Sequence, residues 1–431
     1  MEKIKQLSEK SDKITKRKGV TYRKGYRRSI IQLLFTNGCI SKKGLQIMPG
    51  DYQTYSKKIT EMKKEGILEE LNIGNHNSGL HKTVRLCNLD QTMEWYLPYF
   101  RRYNKYYEIY SKDKRKVLNM SSKYQSRRIK AYRESEVTML MYAAGIRVYP
   151  DEKALIDNGE KIPTYPPAFY NSKEVRKGGA DRFAVKEEGT VITSRIIGVM
   201  ISEGGYYAVF HTENSMLIWS ASAEGQMAWT IGRFINNWCQ QIPEEEYEQI
   251  DNSAVNEYFP REKEKEEESE NIHFEGAVED AILIGYRNSI YENIYLNEKR
   301  GNINLTNCGY KHMYAIPYTE DGKILLHIMS SYGWKEQMVE DFLPDGFEKT
   351  THHSTIECDG KCGEQFILLY VIPDLVRLKK FMTAAEWNSG KNEYIVMCFD
   401  FQTEFIKAIA PQHVQIQVTP FKPYAEYLGL V

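Results

Sequence analysis

No run of apolar residues in the chain approaches the ~18 that a membrane-spanning helix requires. The first residues, MEKIKQLSEKSDKITKRKG, are charged throughout, where a secretory leader would carry an apolar centre. Neither a signal peptide nor a membrane span is expected, and the compartment that fits is the cytoplasm. Cysteine is scarce and irregular: seven residues, at 39, 87, 239, 308, 358, 362 and 398, are odd in number and widely scattered. That usage fits reduced thiols and excludes the disulfide framework of a small secreted domain.

Core material, by contrast, is ample. Hydrophobic residues make up 42% and aromatics 12%, with 31 Tyr against 16 Phe, which suits globular domains rich in half-buried rings and argues against general disorder. At 431 residues the chain exceeds what one core usually organises, so two or three domains are expected. The formal net charge of zero conceals a polarity. Residues 1–132 hold 30 Lys and Arg against 12 Asp and Glu, whereas residues 133–431 hold 28 against 46. A basic front on an acidic body is the footprint of a polyanion-binding module joined to a part that does not touch the polyanion. An isolated basic run would read as a solvated face, but here the basic part also carries a DNA-binding pattern.

That pattern begins at Tyr22 to Asn37, where Tyr26, Ile30, Leu33 and Leu34 recur at helical spacing and Asn37-Gly38 is a stop. Ser41 is placed to cap a second short helix, KKGLQIM, before Pro49-Gly50, and Asp51 to cap a third, YQTYSKKITEMKKEG. On the third, Tyr52, Tyr55, Ile59 and Met62 share one face, leaving Gln53, Thr54, Lys57, Lys58, Glu61 and Lys64 outward. ILEELNI, GNHNSG and LHKTVRLCNL then read as strand, polar turn and strand, a hairpin with Asn75, His76, Asn77 and Ser78 at its tip. Three helices and a hairpin make a winged helix-turn-helix. Amide, hydroxyl and Lys side chains on a free helix suit a major groove, and a polar wing can lie along phosphates. The candidate DNA contacts are Gln53, Thr54, Lys57, Lys58 and Lys64 on the third helix, Asn75, His76, Asn77, Lys82 and Arg85 on the wing, and Arg27 and Arg28 on the first helix. A winged helix used only for protein contact is the alternative reading. Residues 99–132 interleave Tyr with Arg and Lys, fit either to grip phosphates and stack on unpaired bases or to pack a Tyr face on the wing.

Further on, Arg127 to Ala144 reads as a helix and Ile146 to Tyr149 as a short strand. VITSRIIGVMI and YYAVFHT form a hairpin around Ser202-Glu203-Gly204-Gly205, MLIW reads as a third strand, and SAEGQMAWTIGRFINNWC as a long helix. The order suggests an α/β domain with a mixed sheet. Through ITEMKKEGIL, LHKTVRL and RRIKAYRESEVTMLMYAAGI, the chain resembles the replication-relaxation family of plasmids and integrative elements over roughly residues 20–240. The resemblance implies a winged helix followed by a restriction-endonuclease-like α/β domain, in a mobile-element protein acting at a replication or transfer origin. Nuclease chemistry on that scaffold needs an acidic residue on one hairpin strand and Glu-x-Lys or Asp-x-Lys on the next, to hold a divalent metal and steady a water. Neither VITSRIIGVMI nor YYAVFHT carries a carboxylate, and Glu134 and Glu136 read as surface residues of the preceding helix. A degenerate scaffold is therefore expected.

Residues 242–275 carry 13 Asp and Glu against 3 Lys and Arg, a linker by composition. Beyond it AILIGYR is a strand, KHMYAIPYTEDGKILLHIMSS a strand pair turning at Glu320-Asp321-Gly322, and WKEQMVEDFL a helix. QFILLYVI, EYIVMCFD and HVQIQV then alternate as strands with the helical PDLVRLKKFM and TEFIKAIA, giving a second α/β domain with a partly parallel sheet. Asp280, Asp374 and Asp400 fall near strand ends with no Gly-rich phosphate loop beside them, and read as helix caps. His352, His353, Cys358 and Cys362 lie close together in THHSTIECDGKCG, but a zinc knuckle is usually Cys-x-x-Cys and three residues intervene here. Adjacent histidines are likewise not the His-hydrophobic-His of a rolling-circle relaxase. No metal or other cofactor is expected.

The expected architecture is thus multidomain α+β: a winged helix at 20–90, a basic Tyr-rich connector at 91–132, a degenerate endonuclease-like α/β domain at 133–241, the acidic linker at 242–275 and a C-terminal α/β domain at 276–431. The expected function is sequence-specific binding of double-stranded DNA, without catalysis, in plasmid replication initiation or as a relaxosome accessory. Replication or conjugation proteins and a second copy of the chain are the expected partners. A metal-dependent nuclease and a transcription regulator with a ligand-sensing C-terminal domain are the alternatives.

Overall fold

The computed structural model describes residues 25–73, 81–86, 125–149, 153, 167–178, 194–213, 221–239, 277–296, 309–350, 356–388, 390 and 392–431. Helix α1 (Tyr26–Asn37) buries Ile30, Leu33 and Leu34 on its apolar side and ends at Gly38, whose N–H returns to Leu34 O. Strand β1 (Ile40–Ser41) follows, then helix α2 (Tyr52–Lys64), capped by the Asp51 carboxylate, which accepts from the Gln53 and Thr54 N–H groups. Strands β2 (Leu68–Ile73) and β3 (His81–Leu86) pair antiparallel, and β1 adds to β3, giving the order β1-β3-β2.

The short helix expected over KKGLQIM is only a 3-10 turn, Gly44–Gln46. Packing explains the difference. Leu45, Ile47 and Met48 are all buried, and a methyl group on Gly44 would lie 2.6 Å from Met139 Sδ of the next helix. The segment is pressed flat against that helix and has no room for a regular α turn.

That neighbour is α3 (Gln125–Ala143), which starts inside the segment expected as connector. From Ala131 to Tyr142 it is buried on nearly every side, because α1, β1, the 3-10 turn and β2 cover one side and the middle sheet the other. The sheet runs in chain order: β4 (Ala168–Asn171), β5 (Gly198–Ser202), β6 (Gly205–Glu213), β7 (Asp280–Gly285) and β8 (His312–Pro317). Only β5 runs against its neighbours; β6, β7 and β8 are parallel. Helices α4 (Ser172–Gly178), α5 (Ala221–Cys239) and α6 (Asn288–Leu296) belong to this part.

The pairing of Val209 with Ile282 crosses the acidic segment, so the boundary expected at 242–275 falls inside one sheet. Strand DAILIG is buried along its whole length, and a parallel strand of that kind needs a ladder partner and cover on both faces. Strand β6 supplies the ladder. Residues 242–275 themselves, like MLIW, lie outside the described residues.

KILLHIMSS is not a strand. It forms α7 (Glu320–Met329), with Thr319 as cap and Glu320 and Asp321 in the first turn, where the helix dipole favours carboxylates. Ile324, Leu325, Leu326, Ile328 and Met329 are all buried, and an apolar run interrupted only by His327 does not distinguish helix from strand by period. After α8 (Trp334–Phe342) come β9 (Glu348–Lys349), β10 (Gly360–Cys362) and β11 (Gln365–Leu369). Helix α9 (Leu375–Trp387), β12 (Glu393–Phe399), α10 (Thr403–Ile409), β13 (Val414–Thr419) and α11 (Phe421–Tyr427) complete the chain. In this third sheet, of order β13-β12-β11-β10-β9, strands β11, β12 and β13 are parallel and β9 and β10 antiparallel. Asp374 caps α9 as expected and also accepts from the Met313 N–H of β8, tying the third sheet to the second. Among the described residues there are eleven helices and three sheets, a mixed α and β architecture, and no helix is long and apolar enough to cross a membrane.

Candidate nucleic-acid interface and the buried carboxylate behind it

Tyr55, Ile59 and Met62 hold α2 against its own unit, and the spacing of three and four that buries them leaves Gln53, Ser56, Lys57, Thr60, Lys63 and Lys64 exposed. Helix α2 packs on α1, β2 and the 3-10 turn, while α3 is covered by the rest of the unit. The outward stripe is therefore turned away from the body. Gln53, Lys57 and Lys64 are exposed there. Thr54 differs from expectation: its hydroxyl donates to Asp51 Oδ2 at 2.5 Å, so the helix cap holds it. Lys58 is half-buried and donates to Glu61 at 2.8 Å. Ser56, Thr60 and Lys63, not among the expected contacts, lie on the same stripe and were within reach of helical spacing.

The hairpin is largely neutralised. Arg85 pairs with Glu69, directly opposite it in the register, and Glu70 takes Lys42 at 2.7 Å and Lys63 at 2.6 Å. The hydrogen bond from Lys42, then that from Lys63, holds the Glu70 carboxyl down to about 2. Lys82 stays exposed opposite Asn72. Arg27 pairs with Glu65, and Arg28 is half-buried on α1. The tip residues Asn75, His76 and Asn77 lie outside the described residues.

Behind this face sits an arrangement with no counterpart in the sequence reading. Glu134 and Glu136, expected on the surface, are 2% and 0% exposed. Glu136 faces the second hairpin strand, where a nuclease would carry its Glu-x-Lys or Asp-x-Lys, and meets His211 there. His211 Nε2 lies 2.9 Å from Glu136 Oε2, which also accepts from the Tyr286 hydroxyl. Ser41 Oγ donates to Oε1 at 2.7 Å and Tyr132 at 2.6 Å. Burial raises the pKa of Glu136, but the hydrogen bonds with His211, Tyr132 and Tyr286 outweigh it and keep the carboxyl below the usual range. An ionised carboxylate only accepts, so His211 Nε2 carries the proton. Burial first, then the Glu136 charge, pushes the Tyr132 and Tyr286 phenols well up, so neither is poised as a nucleophile.

A carboxylate accepts at about four lone-pair positions. Four donors fill those of Glu136, leaving no direction for a metal or an attacking water. Around it, Tyr318 stacks on His211 with ring centroids 5.7 Å apart, Lys43 Nζ sits 2.9 Å above the Tyr286 ring, and Ser135 Oγ donates to Cys39 O at 2.9 Å. The Cys39 thiol, pushed up to about 12 by burial and next by Glu134, is a packing group. Glu134 lies 4.0 Å from Lys173 Nζ, close to Lys130, whose pKa burial and then Arg176 bring down to about 8.

In the candidate zinc cluster, Cys358 is buried and Cys362 exposed at the two ends of one short stretch, and His352 and His353 lie outside the described residues. Among the described residues no group of three or more His, Cys, Asp or Glu side chains is arranged to hold a metal. No family model, no curated protein and no solved structure matches this chain.

Proposed function

We propose that the chain is a sequence-specific duplex-DNA-binding protein whose amino-terminal unit is a winged helix-turn-helix. The observation that carries the reading is α2: three buried residues fix its inner side, and a stripe of amide, hydroxyl and lysine side chains faces away from the body. Beside it the β2–β3 hairpin stands as the wing. The mixed sheet with one reversed strand is compatible with the endonuclease-like scaffold, and Glu136, saturated by structural donors, supports a body without nuclease activity. With the resemblance to the replication-relaxation family, this gives a mobile-element protein acting in replication initiation or as a transfer accessory, its acidic body being the surface left for protein partners.

The test is fluorescence anisotropy of a labelled duplex against salt. Lys57→Ala should weaken binding and lower the salt slope by about one counterion, as expected for one lost phosphate contact. Lys58→Ala should do less, because Glu61 already engages that ammonium. Unchanged affinity and slope in the double variant would show that α2 does not face the DNA.

A further inference from the structure

The Glu136 cluster draws on four separate segments. Ser41 comes from β1 of the amino-terminal unit, Tyr132 and Glu136 from α3, His211 from β6, and Tyr286 from the loop after β7. Tyr132 and Tyr286 are also 3.1 Å apart, and the Tyr318 hydroxyl, after β8, donates to Glu136 O at 3.3 Å. We infer that Glu136 is a positioning residue: it latches the amino-terminal unit to the sheet, so that the open face of α2 keeps one orientation relative to the body. The part of this inference that concerns DNA rests on the reading above, while the latch itself does not.

The physical argument is one of asymmetry. A buried carboxylate is tolerated only when its acceptor positions are met, and here three of the four donors lie outside its own turn of helix. Separating the unit from the body strips Ser41 from Glu136, and shifting β6 strips His211. Either motion leaves a buried charge short of donors, so intermediate orientations are costly and the docked one is sharply preferred. The titratable or charged groups facing Glu136 are Cys39 and Lys43 from the unit, Tyr132 and Glu134 from α3, His211 from β6, Tyr286 and Tyr318. Of these Lys43 sits over the Tyr286 ring, 2.9 Å from its centroid.

Hydrogen exchange of the intact protein, read peptide by peptide by mass spectrometry, tests the latch without DNA. Glu136→Gln keeps the shape but replaces one acceptor with a donor. It should speed exchange in α1, β1 and α2 at least tenfold while β11 and β12 stay at the wild-type rate. The milder Tyr286→Phe and Ser41→Ala should give smaller changes in the same peptides, and they decide the matter if Glu136→Gln does not fold. A pH series adds a readout that packing alone would not move. After correction for intrinsic rates, wild-type protection of these peptides should fall below the ordinary carboxylate range by more than protonation of Glu70 explains, whereas Glu136→Gln should keep only the Glu70 part of that loss. Uniform acceleration across all three sheets, or no change in any variant, overturns the latch. Faster exchange with unaltered DNA affinity, against weakened binding in Lys57→Ala, would keep the latch and overturn its role in positioning α2. Absence of DNA binding by the wild type would defeat the DNA reading and leave the exchange result standing.

Discussion

The two faces of the amino-terminal unit handle charge in opposite ways. On the open face, α2 and the hairpin carry cations either solvated, as Lys57 and Lys64, or in partly exposed pairs such as Lys58–Glu61. Exposed pairs contribute about 0–1 kcal/mol each. On the inner face a single fully buried carboxylate is met by four donors, and removing one member of such a set commonly costs several times more. Charges that stabilise little are available to a ligand, and charges that stabilise much are committed to the fold. The position of a charged residue relative to the core thus separates uncommitted groups from structural ones more sharply than its chemical type does.

The largest effect that would sharpen this contrast is removal of the inner partner altogether. A fragment of residues 1–90 loses α3, and with it the cover that side chains such as Met139, packed at Gly44, give to the unit's core, about 2 kcal/mol per buried side chain. That sum exceeds what so small a unit can spare. Urea unfolding followed by circular dichroism should show no cooperative transition; a fragment that unfolds cooperatively would make the inner face dispensable. Next in size, Glu136→Ala in the whole chain should lower stability by about 3 kcal/mol or more, since it leaves a cavity and strands the Tyr and His donors. Lys57→Ala, its counterpart on the open face, should stay within ~0.5 kcal/mol. Chemical denaturation of the two variants side by side checks the ratio, and equal losses would break the comparison.

The smallest effect concerns Glu70, which lies between the faces. Its folded pKa is lowered from about 4.5 to about 2, so its pairing with Lys42 and Lys63 contributes fully above the ordinary carboxylate value and is lost as pH falls from there toward 2. Glu70→Gln should therefore be less stable than wild type at neutral pH, and the difference should shrink over that acid interval. Thermal melts at several pH values would read it, and a difference independent of pH would mean that the two lysines do not act through charge.

Local chemistry made much of this molecule legible from the chain alone. Asp51 before YQTYSKKITEM and Gly38 after a periodic run specify helix ends through backbone hydrogen bonds made within a few residues, and the period of Tyr55, Ile59 and Met62 specifies which side is inner. The alternation of QFILLYVI, EYIVMCFD and HVQIQV with amphipathic segments likewise announced a parallel array. What the chain alone left open was decided by contacts between residues far apart in it. KILLHIM is helix because its cap and neighbours favour helix over an equally apolar strand. Strands on either side of an acidic segment share one sheet because β7 pairs with β6. Glu136 is a buried latch because Ser41, His211 and Tyr286, 95, 75 and 150 residues away, converge on it. A glutamate two residues from another on a helix carries no local mark of burial; that is a property of what packs above it, and only the tertiary structure sets it.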